Sequence, residues 1–501
     1  MAFSGLQEYA AALEQRGELR TIGVEVDPVL EITEIADRMV RAGGPALRFA
    51  RPKGYHYPVL INLFGTLKRT AFALGVQHLD EIGDRLRELL HTQPPPSLLD
   101  KIRALPRLAE MASWGPRRVR LAPCQEVVET DPSLLDLPAL KCWPEDGGRF
   151  VTLPVVITRH PTSGQRNVGM YRMQLYDRKT AGMHWHPHKV GAEHYRRYEA
   201  RGERMPVAVA LGGDPAVIYA ATAPLPEEFD ELLFAGFLRR EAVEVVRCKT
   251  VDLEAPADAE FVLEGYVEPG ERRKEGPFGD HTGYYSPQDE YPVFHCTCIT
   301  RRSKPVYPAT IVGRPPKEDC NLAKATERIF LPVIQLQLPE VVDLNLPVEG
   351  IFQNLALVRI QKRYPGHAHK VMHALWGMGQ LMFSKIIVVV DEEVDVQDLS
   401  EVLWRVGNNI DPERDICFIR GPVDILDHAA RMPGLGSKMG IDATRKWPGE
   451  GFSRPWPNEV AMTPEVKARV DALWPELGLG RPLDRPRVTP SEAEGGKDGG
   501  G

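Results

Sequence analysis

The pattern of apolar and polar positions changes twice along the chain. Residues 4–91 alternate between amphipathic helical stretches and short apolar runs, which is typical of an α/β module. From about residue 116 the pattern consists of short strands separated by frequent turns, which favours an antiparallel barrel. After about Ala323 the chain returns to helices around one buried apolar strand, Lys385–Val390.

We therefore predict an α/β domain over residues 1–115, a central β domain over 116–322 and a second α/β domain over 323–480. Residues 481–501 are rich in glycine and charge, so we predict a disordered tail that cannot bury a core. The first domain is predicted to contain helix 4–20, strand 21–26, helix 27–41, strand 46–49, strand 59–63, helix 79–91 and helix 98–112.

The most informative stretch is Asn167–Val190, which we predict to be two strands joined by a polar turn. The second strand would carry His184, His186 and His188. Because alternate residues of a strand point to one face, the three imidazoles would form a column. Imidazole is the commonest neutral metal ligand in proteins. The alternative interpretation is a polar, solvated strand face.

A candidate acid–base group combines residues from two stretches. The first predicted strand supplies Asn167, an oxygen ligand, and Arg172, a fixed cation with several donors. Residues 275–285 read EGPFGDHTGYY, a loop that holds Glu275 and Asp280. Two carboxylates beside a cation suit acid–base chemistry, because their repulsion raises one pKa while the cation keeps the other group ionised. The alternative is a turn whose acids cap backbone N–H groups.

Two further stretches are weaker candidates. Residues 227–240 have helical spacing and carry Glu231, and an acid on an amphipathic helix usually faces solvent. Residues 434–447 are rich in glycine but lack the GxxxxGK[ST] order of a phosphate loop. We interpret this second stretch as a glycine-rich loop that closes onto another domain.

Composition narrows the classes of function. The net charge of −7 argues against a nucleic-acid-binding protein, which usually has a basic excess. No run of about 18 apolar residues occurs, so we predict no transmembrane helix. The cysteines are scattered and odd in number, seven in all, which favours free buried thiols in a reducing cytoplasm.

Three motifs in the chain closely resemble those of the UbiD-type decarboxylases. They are NVGMYRMQL at 167–175, EGPFGDHTGYY at 275–285 and GLGSKMGIDATRKWPGE at 434–450. Two other segments, LEITEIADRMVRAGGPAL at 30–47 and CWPED at 142–146, resemble the 4-hydroxy-3-polyprenylbenzoate decarboxylases of ubiquinone biosynthesis in particular. The resemblance covers roughly residues 5–477.

This resemblance implies a fold, a cofactor and an assembly. The implied fold has an N-terminal α/β domain, a central split β-barrel that binds flavin, and a C-terminal α/β domain used in oligomerisation. The implied cofactor is prenylated FMN, made by a flavin prenyltransferase. The implied assembly is a homo-oligomer, either a dimer or a hexamer. A polyprenyl substrate would further imply a cytoplasmic protein with peripheral contact to the inner face of the cell membrane.

The resemblance also assigns residues by their match to the family motifs. A divalent metal, usually manganese, would be bound by Asn167, His188 and Glu231. The catalytic group would be Arg172, Glu275 and Asp280. The cofactor contacts would be Met170, Tyr171, Arg172, His184, Trp185, His186, Lys189 and Val190.

One segment departs from the ubiquinone-pathway pattern. HWHPHKV stands at 184–190 where those members read more like RWLSHRG, so His184 replaces an arginine and Val190 a glycine. This form is more similar to members that act on other aromatic or polycyclic acids, including menaquinone precursors. The overall resemblance nevertheless favours non-oxidative decarboxylation of 4-hydroxy-3-polyprenylbenzoate, which is the reaction we expect. The alternatives are a menaquinone-pathway naphthoate or another aromatic acid and, more remotely, a flavin-binding protein without turnover.

Overall fold

The computed structural model describes residues 3–91 and 110–479. The predicted helix at 98–112 lies mostly outside these residues, and the predicted tail at 481–501 lies entirely outside them. The chain forms two compact units, each assembled from separate segments. The first combines Met1–Leu336 with Val348–Phe352 and Pro422–Gly436, and the second contains Gln337–Pro347, Gln353–Gly421 and Ser437–Gly501. The predicted domain limits stay a prediction.

The helices of the described residues include most of those that the sequence pattern predicts. They are α1 (Leu6–Gln15), α2 (Glu31–Arg41), α3 (Leu67–Ala73), α4 (Asp80–Leu90), α5 (Val190–Arg201), α6 (Pro215–Ala220), α7 (Glu231–Arg239), α8 (Glu318–Gln337), α9 (His367–Trp376), α10 (Leu399–Asn409), α11 (Pro412–Asp415) and α12 (Pro464–Leu473). Among these helices, none is long and apolar enough to cross a membrane.

The strands are short except for two in the central region. They are β1 (Leu19–Val26), β2 (Ala46–Pro52), β3 (Val59–Ile61), β4 (Arg117–Val119), β5 (Val127–Glu129), β6 (Phe150–Val151), β7 (Pro154–Arg159), β8 (Arg166–Met170), β9 (Met173–Gln174), β10 (Thr180–Gly182), β11 (Met205–Leu211), β12 (Glu244–Arg247), β13 (Glu254–Pro256), β14 (Phe261–Glu275), β15 (Phe278–Gly279), β16 (Tyr285–Ser286), β17 (Asp289–Arg301), β18 (Tyr307–Pro308), β19 (Val341–Asn345), β20 (Leu355–Ile360), β21 (Ile386–Asp391), β22 (Ile416–Pro422) and β23 (Leu435–Asp442).

The N-terminal part of the first unit is an α/β module, as the pattern predicts. Its sheet has the order β1-β2-β3-β18. The start of α8 is tied to this sheet through Glu318, a buried side chain. The Glu318 carboxylate accepts hydrogen bonds from the backbone N–H groups of Asn62 (3.2 Å) and Phe64 (2.9 Å). Burial of this carboxylate is tolerated because these donors replace water.

The central sheet of the first unit is antiparallel, with the order β10-β17-β14-β11-β7-β8 and with β5 also paired to β17. In β11, Ala208 and Ala210 pack into one apolar cluster, whereas Val207 and Val209 pack into another. Both faces of the sheet are therefore buried, which explains the nearly continuous apolar sequence of this strand. Within the described residues the end strands β10 and β8 do not pair. The sheet is thus not a closed barrel, and the predicted split barrel is not confirmed.

The second unit contains a five-stranded sheet with the order β19-β20-β21-β23-β22. Strand β23 corrects one prediction, because residues 435–442 form a strand rather than a glycine-rich loop. β23 pairs in parallel with β21, from Ile386 opposite Met439 to Val389 opposite Asp442. Gly440 permits close packing there, since a Cβ at this position would lie 2.4 Å from the sulfur of Met372.

A glycine in β14 generates a prediction about stability. Gly265 lies at a shift of register between β14 and β17, and a Cβ there would lie 1.9 Å from the carbonyl oxygen of His295. Gly265→Ala must therefore move backbone, and we expect the free energy of unfolding to fall by about 2 kcal/mol or more, measured with urea. Gly23→Ala is the control, because no atom lies within 4 Å of its added Cβ. Equal stability of the two variants would contradict the expectation.

Candidate active site

Tyr171 and Arg172 lie at a break in the first predicted strand of the hairpin. The strand Asn167–Tyr176 is not continuous, because β8 pairs with β7 whereas β9 pairs with β6. Gly169 makes room for this break, since a Cβ at residue 169 would lie 2.4 Å from the Tyr171 hydroxyl oxygen. The chain changes sheet at Tyr171–Arg172, and the Arg172 side chain turns toward the loop after β14.

The Arg172 guanidinium joins the two carboxylates of the predicted catalytic group. Its Nε donates to Oε1 of Glu275 at 3.0 Å, and its Nη1 pairs with Oδ2 of Asp280. A third donor, Nη2, reaches the Ser286 hydroxyl at 3.1 Å, and the ring of Phe278 lies 4.3 Å from the guanidinium carbon. The exposed fractions of the Arg172, Glu275 and Asp280 side chains are 10%, 0% and 7%. The structure brings these three residues together, and their catalytic roles stay a prediction.

The loop after β14 is fixed by the strand that follows Arg172. Glu275 is the last residue of β14 and is opposite Asp289 of β17. The next N–H group, from Gly276, donates to Oε1 of Gln174 in β9 at 2.7 Å. Because Gln174 follows Arg172 by only two residues, this bond sets the distance between the arginine and both carboxylates.

The carboxylates differ in how firmly they are held ionised. Burial alone raises the pKa of Asp280, but Arg172 and a hydrogen bond with His281 outweigh burial and hold that pKa far below its usual range. His281 is bonded through Nδ1 to Oδ1 of Asp280 at 2.8 Å. Burial lowers the pKa of His281, but Asp280 and its other acidic neighbours raise it to about 9. For Glu275 burial is likewise outweighed, by Arg172 and then His184, and the pKa is lowered.

The predicted second strand of the hairpin is wrong. β10 ends at Gly182, and residues 183–189 form neither helix nor strand before α5 begins at Val190. Pro187 has no N–H group to donate to a ladder, so a strand could not continue through it. The histidines are nevertheless close together. The Nε2 atoms of His184 and His186 are 2.7 Å apart, and the rings of His186 and His188 are 5.7 Å apart.

His184 also reaches the catalytic group. Its Nδ1 lies 3.0 Å and 3.1 Å from the two carboxylate oxygens of Glu275. On its other side the ring packs against Tyr291 of β17, with centroids 4.3 Å apart. The next histidine, His186, is kept neutral because burial and the adjacent His184 lower its pKa. A chain of polar groups therefore extends from Glu275 through His184 to His186.

Trp185 carries a buried polar atom without a protein partner. Its side chain is 4% exposed, and its indole Nε1 has no hydrogen-bond acceptor among the described residues. A buried N–H group without an acceptor is unfavourable by roughly 1–3 kcal/mol. The ring lies edge-on to Tyr171 at 6.4 Å. An acceptor on a bound cofactor would satisfy this donor, so Trp185 fits the predicted contact.

The predicted metal ligands are only partly brought together. The Glu231 carboxylate accepts from the N–H group of Val168 at 2.9 Å, which places it beside Asn167. Burial raises the pKa of Glu231 to about 7, and the opposing effects of its backbone hydrogen bonds and of Arg166 are too small to cancel it. A divalent cation would supply additional positive charge. No group of three or more His, Cys, Asp or Glu side chains in residues 3–91 and 110–479 is arranged to hold a metal, and His188 lies at the surface.

The start of α5 fits an anionic group. Lys189 is its N-cap and makes no side-chain capping bond. A helix N-terminus with a neighbouring lysine favours phosphate. Gly191 of this turn and Asn167 both interact with the hydroxyl of buried Tyr171. Val190, the first residue of α5, is partly exposed, and Met170 packs at the edge of the apolar core.

Several neighbours of the catalytic group are not among the predicted site residues. Ser286 and Phe278 belong to the motif at 275–285 or follow it directly, and His281 is adjacent to Asp280, so their position beside the acids was a usable signal. Tyr291 gives no such signal. It reaches the site because β17 pairs with β14, with Tyr291 opposite Arg273, and long-range pairing is not readable from local sequence.

Models of three protein domains match the chain in order. The N-terminal, Rift-related and C-terminal domains of 3-octaprenyl-4-hydroxybenzoate carboxy-lyase, UbiD, match residues 10–86, 117–315 and 320–443. The chain belongs to the UbiD family. It is therefore an enzyme of the carboxy-lyase class, in a family of aromatic acid decarboxylases.

UbiD-family relatives match along nearly the whole chain. An uncharacterized protein of Archaeoglobus fulgidus is 54% identical over 479 residues, which cover 95% of this chain and 99% of the relative. Among solved structures, the vanillic acid decarboxylase of Sedimentibacter hydroxybenzoicus in its closed form is 29% identical with a TM-score of 0.83, and covers 96% of this chain and 100% of its own.

A second solved structure concerns the cofactor. The UbiD-class enzyme HmfF of Pelotomaculum thermopropionicum, in complex with FMN, is 31% identical with a TM-score of 0.76, and the match covers 93% of this chain and 98% of HmfF. An evolved dimeric form of HmfF has been solved in complex with prenylated FMN. The three-domain UbiD fold of these enzymes matches the fold described above.

Removing the central cation should destabilise the protein. Arg172→Ala would leave two buried carboxylates without their shared partner, and we expect the free energy of unfolding to fall by about 3 kcal/mol at neutral pH. Urea unfolding of flavin-free protein measures this loss. Arg178→Ala is the control, since Arg178 is 61% exposed in its pair with Asp131 and surface pairs contribute little. A loss no larger than that of the control would contradict the expectation.

Proposed function

We propose that this UbiD-family enzyme uses prenylated FMN and a divalent metal to decarboxylate 4-hydroxy-3-polyprenylbenzoate in ubiquinone biosynthesis. The observation that carries the proposal is the buried contact of Arg172 with Glu275 and Asp280. Loss of CO2 from an aromatic ring leaves negative charge that must be delocalised and then protonated. A buried group of one cation and two carboxylates is suited to orienting an acid substrate and delivering that proton.

Prenylated FMN, when bound, would supply the electron sink for the decarboxylation. The chain would hold it by residues at both ends of the site. Met170, Tyr171, His184, Trp185 and His186 would contact the ring system. Toward the phosphate the chain offers Lys189, Val190 and the first N–H groups of α5.

A divalent metal, for which manganese is our choice, would bridge the chain to that phosphate. Asn167, Glu231 and His188 would be its protein ligands, and oxygen and imidazole donors suit a hard or borderline ion. The raised pKa of Glu231 supports the assignment, because it marks a half-buried carboxylate whose desolvation outweighs the effect of its nearest cation, Arg166.

Within the acid–base group, Glu275 is the proton donor in our proposal. Asp280 is bonded to Arg172 and to His281, two cations that hold it ionised. Glu275 shares Arg172 and has the imidazole of His184 as its second partner. Asp280 would then keep Arg172 in place while Glu275 protonates the ring carbon that loses CO2.

The substrate assignment rests on the motifs that resemble polyprenylbenzoate decarboxylases, and a competing candidate has its own support. The S. hydroxybenzoicus match is named for vanillic acid, a small aromatic acid, and the HWHPHK segment resembles members acting on other aromatic or polycyclic acids. A small aromatic acid or a menaquinone-pathway naphthoate is therefore the second candidate. We further propose a homo-oligomer and, for a polyprenyl substrate, peripheral contact with the membrane.

The function is tested by CO2 release after co-expression with a flavin prenyltransferase. We expect purified protein to contain prenylated FMN by native mass spectrometry and to release CO2 from aromatic acids. Glu275→Gln should retain the flavin but lose activity by a factor of roughly 10²–10⁴, the usual contribution of general acid–base catalysis. Glu290→Gln, at an exposed carboxylate of β17, is the control and should keep full activity.

Two results would contradict the proposed function. A flavin-loaded protein that releases no CO2 from polyprenylbenzoate, naphthoate or smaller aromatic acids would indicate flavin binding without turnover. Near-wild-type activity of Glu275→Gln would remove Glu275 from the mechanism. The substrate is decided separately by complementation of a bacterial strain that lacks its own polyprenylbenzoate decarboxylase: restored ubiquinone favours the first substrate, and failure of soluble, flavin-loaded protein favours the second candidate.

The metal assignment predicts a coupled loss. Glu231→Ala should lower both manganese content, measured by elemental mass spectrometry, and flavin occupancy, measured by absorbance, because the metal would bridge the chain to the phosphate. The matched control is Glu228→Ala, which removes an exposed carboxylate just before α7. Full manganese and full flavin in Glu231→Ala would show that Glu231 is not a ligand.

A further inference from the structure

His184 occupies a position between the catalytic group and the buried histidine beside it. Its Nδ1 lies 3.0 Å and 3.1 Å from the oxygens of Glu275, and its Nε2 lies 2.7 Å from Nε2 of His186. The ring is held against Tyr291, and the side chain is 8% exposed. Every polar atom of His184 is thus committed to a neighbour, and one of those neighbours is the proposed proton donor.

The contact between His184 and Glu275 determines which atom carries the shared proton. An ionised carboxylate only accepts hydrogen bonds, so Nδ1 of His184 carries a hydrogen whenever Glu275 is ionised. If that proton moves to Glu275, Nδ1 becomes the acceptor of the same hydrogen bond. The pair can therefore hold one proton in either of two arrangements without any movement of heavy atoms.

The other titratable and charged groups around this pair do not supply the proton. Arg172 is a permanent cation that donates to Glu275 from the opposite side. His186 is kept neutral by burial. Burial raises the pKa of Tyr176 and of Tyr291, which keeps both phenols protonated. Asp280 is a further charged neighbour, and it is bound to Arg172 and His281.

We propose that His184 is a positioning residue that stores the proton which Glu275 delivers, and this role rests on the proposed function. In this role His184 starts as an imidazolium that donates its Nε2–H to the neutral His186. Its Nδ1–H bond breaks as an O–H bond forms on Glu275, which leaves a neutral imidazole beside a neutral carboxylic acid. After Glu275 gives its proton to the product, the imidazole takes a new proton from solvent. Each turnover thus consumes one proton from water for each CO2 released.

An imidazole suits this task because it exchanges its proton near neutral pH, whereas a guanidinium does not. With arginine at position 184, Glu275 would face two fixed cations and would be ionised except in acid. With asparagine, a hydrogen-bond donor would remain without any charge. A comparison of histidine, arginine and asparagine at position 184 therefore distinguishes storage of a proton from hydrogen bonding alone.

The test compares wild type, His184→Asn and His184→Arg by the pH dependence of kcat. Wild type should lose activity at the highest pH, because the pair can hold the proton on either of two groups. We expect the alkaline loss to come at lower pH in His184→Asn and lowest in His184→Arg, with about one pH unit or more between the two variants. His56→Gln, at an exposed histidine remote in sequence, is the control for loss of one imidazole.

A second measurement uses flavin-free protein and does not depend on turnover. Infrared spectra identify the carboxylic acid band of Glu275 by its loss in Glu275→Gln. This band should persist to higher pH in His184→Asn than in His184→Arg, by about one pH unit or more. Equal titration of Glu275 in the two variants would overturn the coupling on which the role depends.

The remaining outcomes are also decisive. If kcat falls at the same alkaline pH in all three proteins and only its maximum is reduced in the variants, His184 merely packs against Glu275. Flavin loss in both variants with unshifted infrared titration would show a cofactor contact alone. If wild type releases no CO2, the proposed function fails, and the infrared titration still decides whether His184 controls the proton on Glu275.

Discussion

The pairing of one buried guanidinium with two buried carboxylates is the interaction on which the site depends. Arg172 is reached by Glu275 and Asp280 from a single loop, and none of the three could be buried alone without a large desolvation penalty. The surrounding strands position these side chains. Glu275 is the last residue of β14, and the N–H group of Gly276 in the next position donates to the Gln174 side chain. The break after β8 directs the Arg172 side chain toward this loop.

The sequence was informative about the site where the chemically important residues lie within short motifs. The arginine and both acids were predictable, since short motifs place charged residues beside glycines that forbid regular structure. The alternation of apolar positions likewise predicted the α/β module and the antiparallel central sheet. That the sheet stays open was not predictable, because the pairing of its end strands depends on contacts between segments far apart in the chain.

The two wrong predictions have different physical origins. His184, His186 and His188 alternate as a strand would, but Pro187 has no N–H group for a ladder and a helix begins at Val190, so the reason is local. Residues 435–442 look like a loop because of their glycines, yet pairing with β21 makes them a strand. In this second case tertiary context outweighed local propensity. Tyr291 was missed for the same reason, since only the pairing of β17 with β14 brings it to His184.

The discontinuous first unit has a consequence for the order in which the chain can be assembled. Segments Val348–Phe352 and Pro422–Gly436 belong to this unit, where Phe352 stacks on His281 at 5.6 Å and His428 packs on Tyr284 at 4.0 Å. During synthesis the second of these contacts cannot form until His428 has left the ribosome, although the acids beside it emerge more than a hundred residues earlier. A fragment that ends before Gly436 lacks part of the first unit, so the acid-bearing loop acquires its full surroundings only after most of the chain has been made.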